Sequence, residues 1–479
     1  MRIAHLASEV APFSKTGGLA DVVGALPPAL AELGHDVTVV VPAHRSALDD
    51  PVPGKRRGEV SALGYTAKVS VLPHRGVRVV FLDSPALYVR PALYSLAGQD
   101  YPDNSVRFAF FAHGALTAVA RLGGAEIVHA HDWQAALTPL LLRYDGKARS
   151  AMPAAKTVLT IHNLAYQGGF APWAVEACGL PRPLFTMDVL EFYGTVNFLK
   201  GGLVSADAIT TVSPTYAREI LSPQFGCGLE GVLAARGDAV SGILNGLDLD
   251  EWNPARDALL ERTYGVDDAA EGKRAARDAL ALELGMATSR KPLLGMVSRL
   301  AEQKGADLVT ATVDEIVAGG FDVVVLGSGE RRYEEALRAA AAAHPGRVAA
   351  LIRFDERLAH RIYAASDLFL MPSRYEPCGL GQMIAMRYGA LPVVTRTGGL
   401  ADTVVDADDG DGTGFVLAEL TPAALMAALA RARKVLASAR KLQTMRAAAM
   451  TRDFSWTASA RAYVKLYERL LNRPAHPAG

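Results

Sequence analysis

Short apolar runs alternate along this chain with longer stretches of helical periodicity, and the alternation occurs twice. Residues 3–8 open the first series. A glycine turn and a helix to about Leu33 follow, Gly34 stops that helix, and residues 36–42 form the next strand. Residues 127–130, 157–161, 208–213 and 240–245 continue the series. Near-continuous apolar strands of this kind are buried on both faces, as in a parallel sheet covered by helices. Strands joined by helical crossovers predict a doubly wound α/β fold.

The pattern lapses over about 246–290, where charge is dense and a helix around 271–284 is predicted. A second series starts at 292–297 and runs through 321–326, 348–352, 368–371 and 391–395, each followed by a helical stretch. The expected organisation is one doubly wound domain over 1–246, another over 247–453, and a closing amphipathic helix over 454–472. Ala-rich helices fill about 422–450, and the Pro-rich end, 474–479, is expected to fray.

Composition narrows the function. Of 479 residues, 50% are hydrophobic and 21% charged, which excludes a disordered, collagen-like or heptad-repeat chain. Lysine plus arginine total 50 and aspartate plus glutamate total 50, so there is no basic excess for gripping nucleic acid. Cys178, Cys227 and Cys378 are far apart and form no C-x-x-C pair, as suits a reducing cytoplasm. The amino terminus reads as a strand rather than a signal peptide, and no run approaches the ~18–20 apolar residues of a membrane span. A cytoplasmic protein with a neutral or compact ligand is expected, with neither nucleic acid nor membrane as partner.

The candidate chemistry sits in turns that follow strands. Thr16-Gly17-Gly18-Leu19-Ala20-Asp21 recurs letter for letter as Thr397-Gly398-Gly399-Leu400-Ala401-Asp402, each copy after a predicted strand and at a predicted helix start. Two glycines there expose amides for an anion or a sugar hydroxyl. The plainer reading is a pair of helix-start turns that glycine makes sterically easy. Lys15 precedes the first copy as a compact cation, and Asp21 lies one turn into its helix. Arg299 and Lys304 follow the strand at 292–297, where open α/β sheets bind ligands and where cations can hold a departing diphosphate.

Other turns are read in the same way. Gly327-Ser328-Gly329 is a strand-to-helix turn suited to close approach by a nucleotide. Residues 226–231 spell a full G-x-G-x-x-G but follow Ser-Pro-Gln-Phe rather than a strand, so a flexible loop is expected there rather than a dinucleotide site. His131-Asp132-Trp133 and His162-Asn163 both stand at strand carboxyl ends. Glu376 precedes a proline, so it lies in an extended turn ahead of the Gly379-Leu380-Gly381 helix start, and Cys378 between them reads as a small buried residue. No metal-ligand spacing and no P-loop is present in the sequence.

Taken in order, K-T-G-G-L-A-D at 15–21, His131–Trp133, H-N-L-A-Y-Q-G at 162–168, Asn245-Gly246, Arg299, Lys304, E-P-C-G-L at 376–380, the second T-G-G-L-A-D and D-F-S-W at 453–456 resemble the bacterial glycogen synthase and plant starch synthase family. The resemblance spans nearly the whole chain. It implies a GT-B fold, two Rossmann-like domains facing across a cleft, with the acceptor side and a catalytic loop in the first and the nucleotide-sugar side in the second. It implies transfer of glucose from ADP-glucose to the 4-hydroxyl of a glycogen or α-1,4-glucan end, with retention and without metal or cofactor.

By matching positions, Lys15, Arg299 and Lys304 hold the diphosphate, and Glu376 with the amides of Gly379 and Leu380 meets the transferred glucose and phosphates. Asp21, Asn245 and Phe354 line the nucleoside pocket, where the family often has tyrosine in place of Phe354. His162, Asp132 and Tyr94 line the glucose or acceptor side. The implied catalytic set is Glu376, Arg299, Lys304, His162 and Asp132, with Gly17, Gly18, Asn163, Cys378, Thr397 and Gly398 added to the substrate-binding set. Three departures stand out: Gln134 replaces a frequent histidine, Gly381 a frequent threonine, and Arg90-Pro91-Ala92-Leu93-Tyr94 lacks the usual Gly-Asn-Pro. The alternatives are a relative using UDP-glucose or another acceptor, and a non-catalytic glucan- or nucleotide-sugar-binding protein.

Overall fold

The computed structural model describes residues 1–287 and 291–472, and the end expected to fray, 474–479, lies outside the described residues. The chain divides into two units, one of Met1–Gly246 with the helix that starts at Trp456, the other of Leu247–Ser455.

The first unit is built on β1 (Arg2–Leu6), β2 (Asp36–Pro42), β3 (Lys55–Ala62), β4 (Tyr65–His74), β5 (Val77–Asp83), β6 (Ile127–His131), β7 (Lys156–Ile161), β8 (Ala208–Thr211) and β9 (Val240–Gly242). Among the described residues they form one sheet in the order β9-β8-β7-β6-β1-β2-β5-β4-β3. Pairing is parallel from β9 through β5 and antiparallel from β5 through β4 to β3. The antiparallel extension departs from the sequence expectation. Its cause is local: Leu63-Gly64 (φ 50° and 78°) and Arg75-Gly76 (φ 47° and 79°) are two-residue turns with both central φ angles positive, the twist that hairpins favour. β9 ends at Gly242, short of the expected Asn245, and a Cβ on Gly242 would lie 2.1 Å from the Ser213 carbonyl oxygen.

The C-terminal helix Trp456–Leu471 belongs to this unit. It buries Ala460, Tyr463, Tyr467 and Leu470 in one apolar cluster with Leu26 and Leu30 of the helix Gly18–Glu32. Period-matched burial of this kind stabilises a helix more than its intrinsic propensity does.

The second unit is built on β10 (Leu293–Val297), β11 (Asp322–Leu326), β12 (Val348–Leu351), β13 (Leu368–Met371), β14 (Leu391–Val394) and β15 (Phe415–Val416). Their order is β12-β11-β10-β13-β14-β15, parallel throughout. The charge-rich stretch ahead of β10 is packed rather than open. Tyr264 is buried and its hydroxyl donates to the Tyr388 carbonyl at 2.9 Å, while the buried Lys273 Nζ donates to the Ala364 and Tyr388 carbonyls at 2.9 Å. Among the described residues no helix is long and apolar enough to cross a membrane.

Each sheet reverses its direction of growth beside its first strand, between β1 and β6 in one unit and between β10 and β13 in the other. Open α/β sheets bind ligands outside the carboxyl ends of their strands at such points.

Candidate active site

In the first unit the loop after β1 carries Lys15, Gly17 and Gly18. Gly17 is the residue before the helix, extended at φ −162°, and a Cβ on Gly17 or Gly18 would meet nothing within 4 Å, so there is open space on the Cβ side of both residues. Lys15 Nζ pairs with the Asp21 carboxylate at 2.7 Å across this turn. The loop is held from below by a residue that sequence reading missed. The Glu9 carboxylate is buried and accepts the Thr16 N–H, the Thr16 hydroxyl at 2.7 Å and the Tyr94 hydroxyl at 2.5 Å. Ser8 Oγ lies 2.7 Å from the same Tyr94 hydroxyl. Tyr94 is thus fixed through its oxygen to the base of the loop, and burial together with the Glu9 charge holds its phenol well above the usual range.

Beside that loop, the ends of β6 and β7 bring His131, Asp132, His162 and Asn163 together. Asp132 has φ 53°, a left-handed conformation that aspartate tolerates better than most residues. One of its oxygens accepts the His162 backbone N–H at 2.7 Å. Burial raises the Asp132 carboxyl to about 7, against the lowering effect of the His162 and Asn163 amides. Behind it lies a row of imidazoles. His5 Nδ1 is 3.0 Å from His131 Nε2, and His131 Nδ1 is 3.0 Å from His162 Nε2. Burial pushes His5 and His162 down to about 3, and His129 and His131 well below the ordinary value, so all four rings are neutral.

These two shifts act on stability in opposite directions. Histidines kept neutral by the fold withdraw stability as pH falls below about 6.5, where the unfolded chain takes up protons. Asp132 keeps a proton in the fold that an unfolded carboxyl gives up near ~3.9, so its contribution is lost as pH rises toward 7. Asp132→Asn retains the acceptor oxygen and removes the titration. Its melting temperature relative to the parent is expected to rise between about pH 5 and pH 8. Parallel curves in thermal melts across that range would show that Asp132 is ionised throughout.

In the second unit the loops after β10 and β13 meet at the switch point. Lys304 Nζ donates to Glu376 Oε2 at 2.5 Å, and Ser373 Oγ donates to the same oxygen at 3.1 Å. Glu376 is buried, whereas Arg299 is exposed and touches Gln303 Oε1 at 3.2 Å. A two-pronged pair, Arg374 Nη1 and Nη2 each 2.8 Å from an Asp307 oxygen, clamps the loop after β13 to the first turn of the helix Ala306–Ala318. Neither residue was singled out from the sequence, because the pairing spans 67 positions.

The second T-G-G-L-A-D is not the chemical equal of the first. A Cβ on Gly398 (φ 41°) would sit 2.0 Å from the Glu376 carbonyl oxygen, and one on Gly399 1.8 Å from the Cys378 carbonyl oxygen. The Gly399 N–H donates to the Glu376 carbonyl at 3.0 Å. Thr397, Gly398 and Gly399 are buried against the Glu376–Cys378 backbone, so here the glycines serve close packing that shapes the acidic turn. Gly379 (φ 70°) completes that turn, and Cys378 is buried as expected of a small residue.

The Gly327-Ser328-Gly329 turn has a similar explanation. A Cβ at Gly327 would lie 1.8 Å from the Ser298 oxygen and one at Gly329 2.2 Å from the Leu300 oxygen, so these glycines admit the backbone of the Arg299 loop. The segment 226–231 is a loop over 226–229, as expected, and runs into a helix from Glu230. The Gly226 N–H donates to the Ser222 carbonyl at 2.8 Å, Leu229 is fully buried, and Gly231 lies in the helix Glu230–Ala235. Phe354 stands beyond the end of β12 with 87% of its surface exposed. Asn245 is buried, and its Oδ1 has no hydrogen-bond partner among the described residues.

Comparison with known proteins decides what this arrangement belongs to. Residues 2–235 match the starch synthase catalytic domain family and residues 291–434 the glycosyl transferases group 1 family. A glycogen synthase of Anaeromyxobacter dehalogenans is 49% identical over 475 residues, covering 98% of this chain and 100% of that one. The chain belongs to the glycogen synthase family. A glycogen synthase of Syntrophotalea carbinolica is 45% identical over 478 residues, covering 98% and 99% of the two chains. The catalytic domain of starch synthase IV from Arabidopsis thaliana, solved bound to ADP and acarbose, superposes with a TM-score of 0.87 at 34% identity, covering 98% of this chain and 99% of that one. A sucrose-phosphate synthase from Thermosynechococcus elongatus, 20% identical with a TM-score of 0.63 and covering 98% of each chain, shares the fold alone.

This glycogen synthase family member is therefore a glycosyltransferase with the GT-B fold, two Rossmann-like α/β domains. Its departures from the family pattern have structural neighbours. A Cβ on Gly381 would stand 3.1 Å from the Met371 sulfur and 3.3 Å from the Tyr363 hydroxyl, so glycine fits a tight corner there. Gln134 is buried, and its Oε1 has no partner among the described residues. Tyr94, in the divergent 90–94 segment, is the residue that donates to Glu9.

Proposed function

We propose that this enzyme transfers glucose from ADP-glucose to the 4-hydroxyl at the non-reducing end of an α-1,4-glucan, with retention of anomeric configuration. The observation that carries the reading is the Lys304–Glu376 pair at the switch point of the second unit, with Arg299 exposed beside it. In this reading the second unit is the nucleotide-sugar side and the first the acceptor side. Breaking a glycosyl–diphosphate bond builds negative charge on the leaving phosphate, and pre-placed cations lower the barrier because they need no reorganisation. Lys304 and Arg299 take that role, with Lys15 as the further diphosphate cation and the Gly379 and Leu380 amides as donors. Exposed Phe354 offers a face for the adenine, and Asn245 Oδ1 an acceptor for the nucleoside.

Retention through a covalent intermediate needs a free carboxylate nucleophile. Glu376 is engaged by Lys304 and Ser373, and Asp132 by the His162 amide, which favours front-face transfer in which the leaving phosphate takes the acceptor proton. Glu376 then orients the sugar and Lys304, while His162, Asn163 and Asp132 serve the glucose and acceptor hydroxyls.

The ADP held by the starch synthase supports ADP-glucose over UDP-glucose. With a glycogen primer, kcat/KM for ADP-glucose is expected to exceed that for UDP-glucose by at least tenfold, about 1.4 kcal/mol of discrimination. Equal values in a nucleotide-release assay would reject the donor assignment and leave the family reading in place.

A further inference from the structure

The four histidines at the carboxyl-end side of β1, β6 and β7 are close enough to suggest a metal site, since ligand atoms of His5, His129 and His131 lie within 4.8 Å of one another. Their hydrogen bonds point elsewhere. His129 Nδ1 meets the Tyr467 hydroxyl at 2.7 Å and its Nε2 the Thr160 hydroxyl at 2.6 Å. Both nitrogens of His131 are engaged, one by His5 and one by His162. Within this group, the one nitrogen left over in the interior is His5 Nε2, which is buried without a hydrogen-bond partner among the described residues.

The chain His5–His131–His162 therefore runs from a buried orphan nitrogen to His162, a residue of intermediate exposure whose Nδ1 is not among the buried orphans. Each neutral imidazole carries one N–H. Two N–H···N bonds in series admit two arrangements. In one, His5 Nδ1–H donates to His131 Nε2, His131 Nδ1–H donates to His162 Nε2, and His162 carries its proton on Nδ1. In the other, every proton moves along, His5 Nε2 holds a buried N–H with no acceptor, and His162 Nδ1 is bare. Orphaned N–H groups are rarer in interiors than under-satisfied acceptors, which selects the first arrangement.

We propose that His5 and His131 are positioning residues that fix neutral His162 as an Nδ1–H donor, a group able to donate to an uncharged sugar hydroxyl or ring oxygen without bringing a charge. The sugar-facing part of this proposal rests on the transferase reading; the tautomer does not. The imidazole chain was invisible in the sequence because its first bond joins residues 126 positions apart.

Nitrogen-15 NMR of the full-length, ligand-free protein labelled at histidine, at a pH above the ordinary imidazole range, reads the tautomer directly. The His162 signal is assigned by its loss in His162→Gln. The expected spectrum shows His162 protonated at Nδ1 and bare at Nε2; the reverse pattern in the parent protein overturns the proposal. His5→Phe removes the first donor and is expected to mix the two His162 tautomers and lower kcat about tenfold, the size of one lost hydrogen bond, with KM for ADP-glucose nearly unchanged. His5→Asn, which restores an N–H near the position of Nδ1, is expected to recover both. A His162 tautomer unmoved by His5→Phe would reduce His5 to packing and overturn the proposal. A correct tautomer in a protein that transfers no glucose would instead sink the transferase reading and leave the imidazole chain standing.

Discussion

Replacing Arg299 by alanine is expected to lower turnover with ADP-glucose by about 10²–10³-fold, the usual effect of deleting one pre-placed group that stabilises a developing negative charge. Folding stability should stay within about 0.5 kcal/mol, because the side chain is exposed and, among the described residues, hydrogen-bonds only to Gln303 at 3.2 Å. Lys304→Ala is a different experiment. It should cost at least as much turnover, but it also strips Glu376 of a partner held at 2.5 Å in a buried position, and breaking such a pair typically destabilises by about 3–5 kcal/mol. Burial of Glu376 is what separates the two substitutions. Thermal melts beside steady-state kinetics check the contrast. An Arg299→Ala protein with full turnover would remove that residue from the diphosphate.

The second large effect lies in the repeated hexapeptide. Gly399→Ala places a methyl group 1.8 Å from the Cys378 oxygen and 2.5 Å from its carbonyl carbon, backbone atoms rather than a flexible side chain that could yield. Overpacking of this kind is expected to cost about 3 kcal/mol or more and to displace the Glu376 turn, abolishing activity. The equivalent change in the first copy, Gly18→Ala, meets nothing within 4 Å and sits at the first position of a helix. It should leave stability unchanged or slightly higher. Denaturant unfolding of both variants decides the matter, and equal destabilisation would mean that the two copies are packed alike.

That contrast also marks what the sequence could and could not reveal. The strand–helix alternation located both parallel sheets, because runs such as Asp36–Pro42 and Asp322–Leu326 are apolar on both faces. The antiparallel strands were overlooked because Lys55–Ala62 is largely solvated and its hairpins use Leu-Gly and Arg-Gly rather than Asn-Gly; paired positive-φ turns at 63–64 and 75–76 were the available signal. The cations after β10 and the acidic turn after β13 were legible, since a strand's end fixes where its loop emerges. Glu9 was not, because its importance comes from Tyr94, 85 positions away. Nor could identical letters disclose that one glycine pair faces open space and the other a carbonyl.

Incorporation of radiolabelled glucose from ADP-glucose into glycogen by the full-length protein is the decisive measurement. The expected result is label in polymer that an exo-acting α-1,4-glucan hydrolase releases completely, with one ADP formed per glucose added. Tight binding of ADP-glucose without any labelled polymer would contradict it and make the chain a binding protein that has kept the fold.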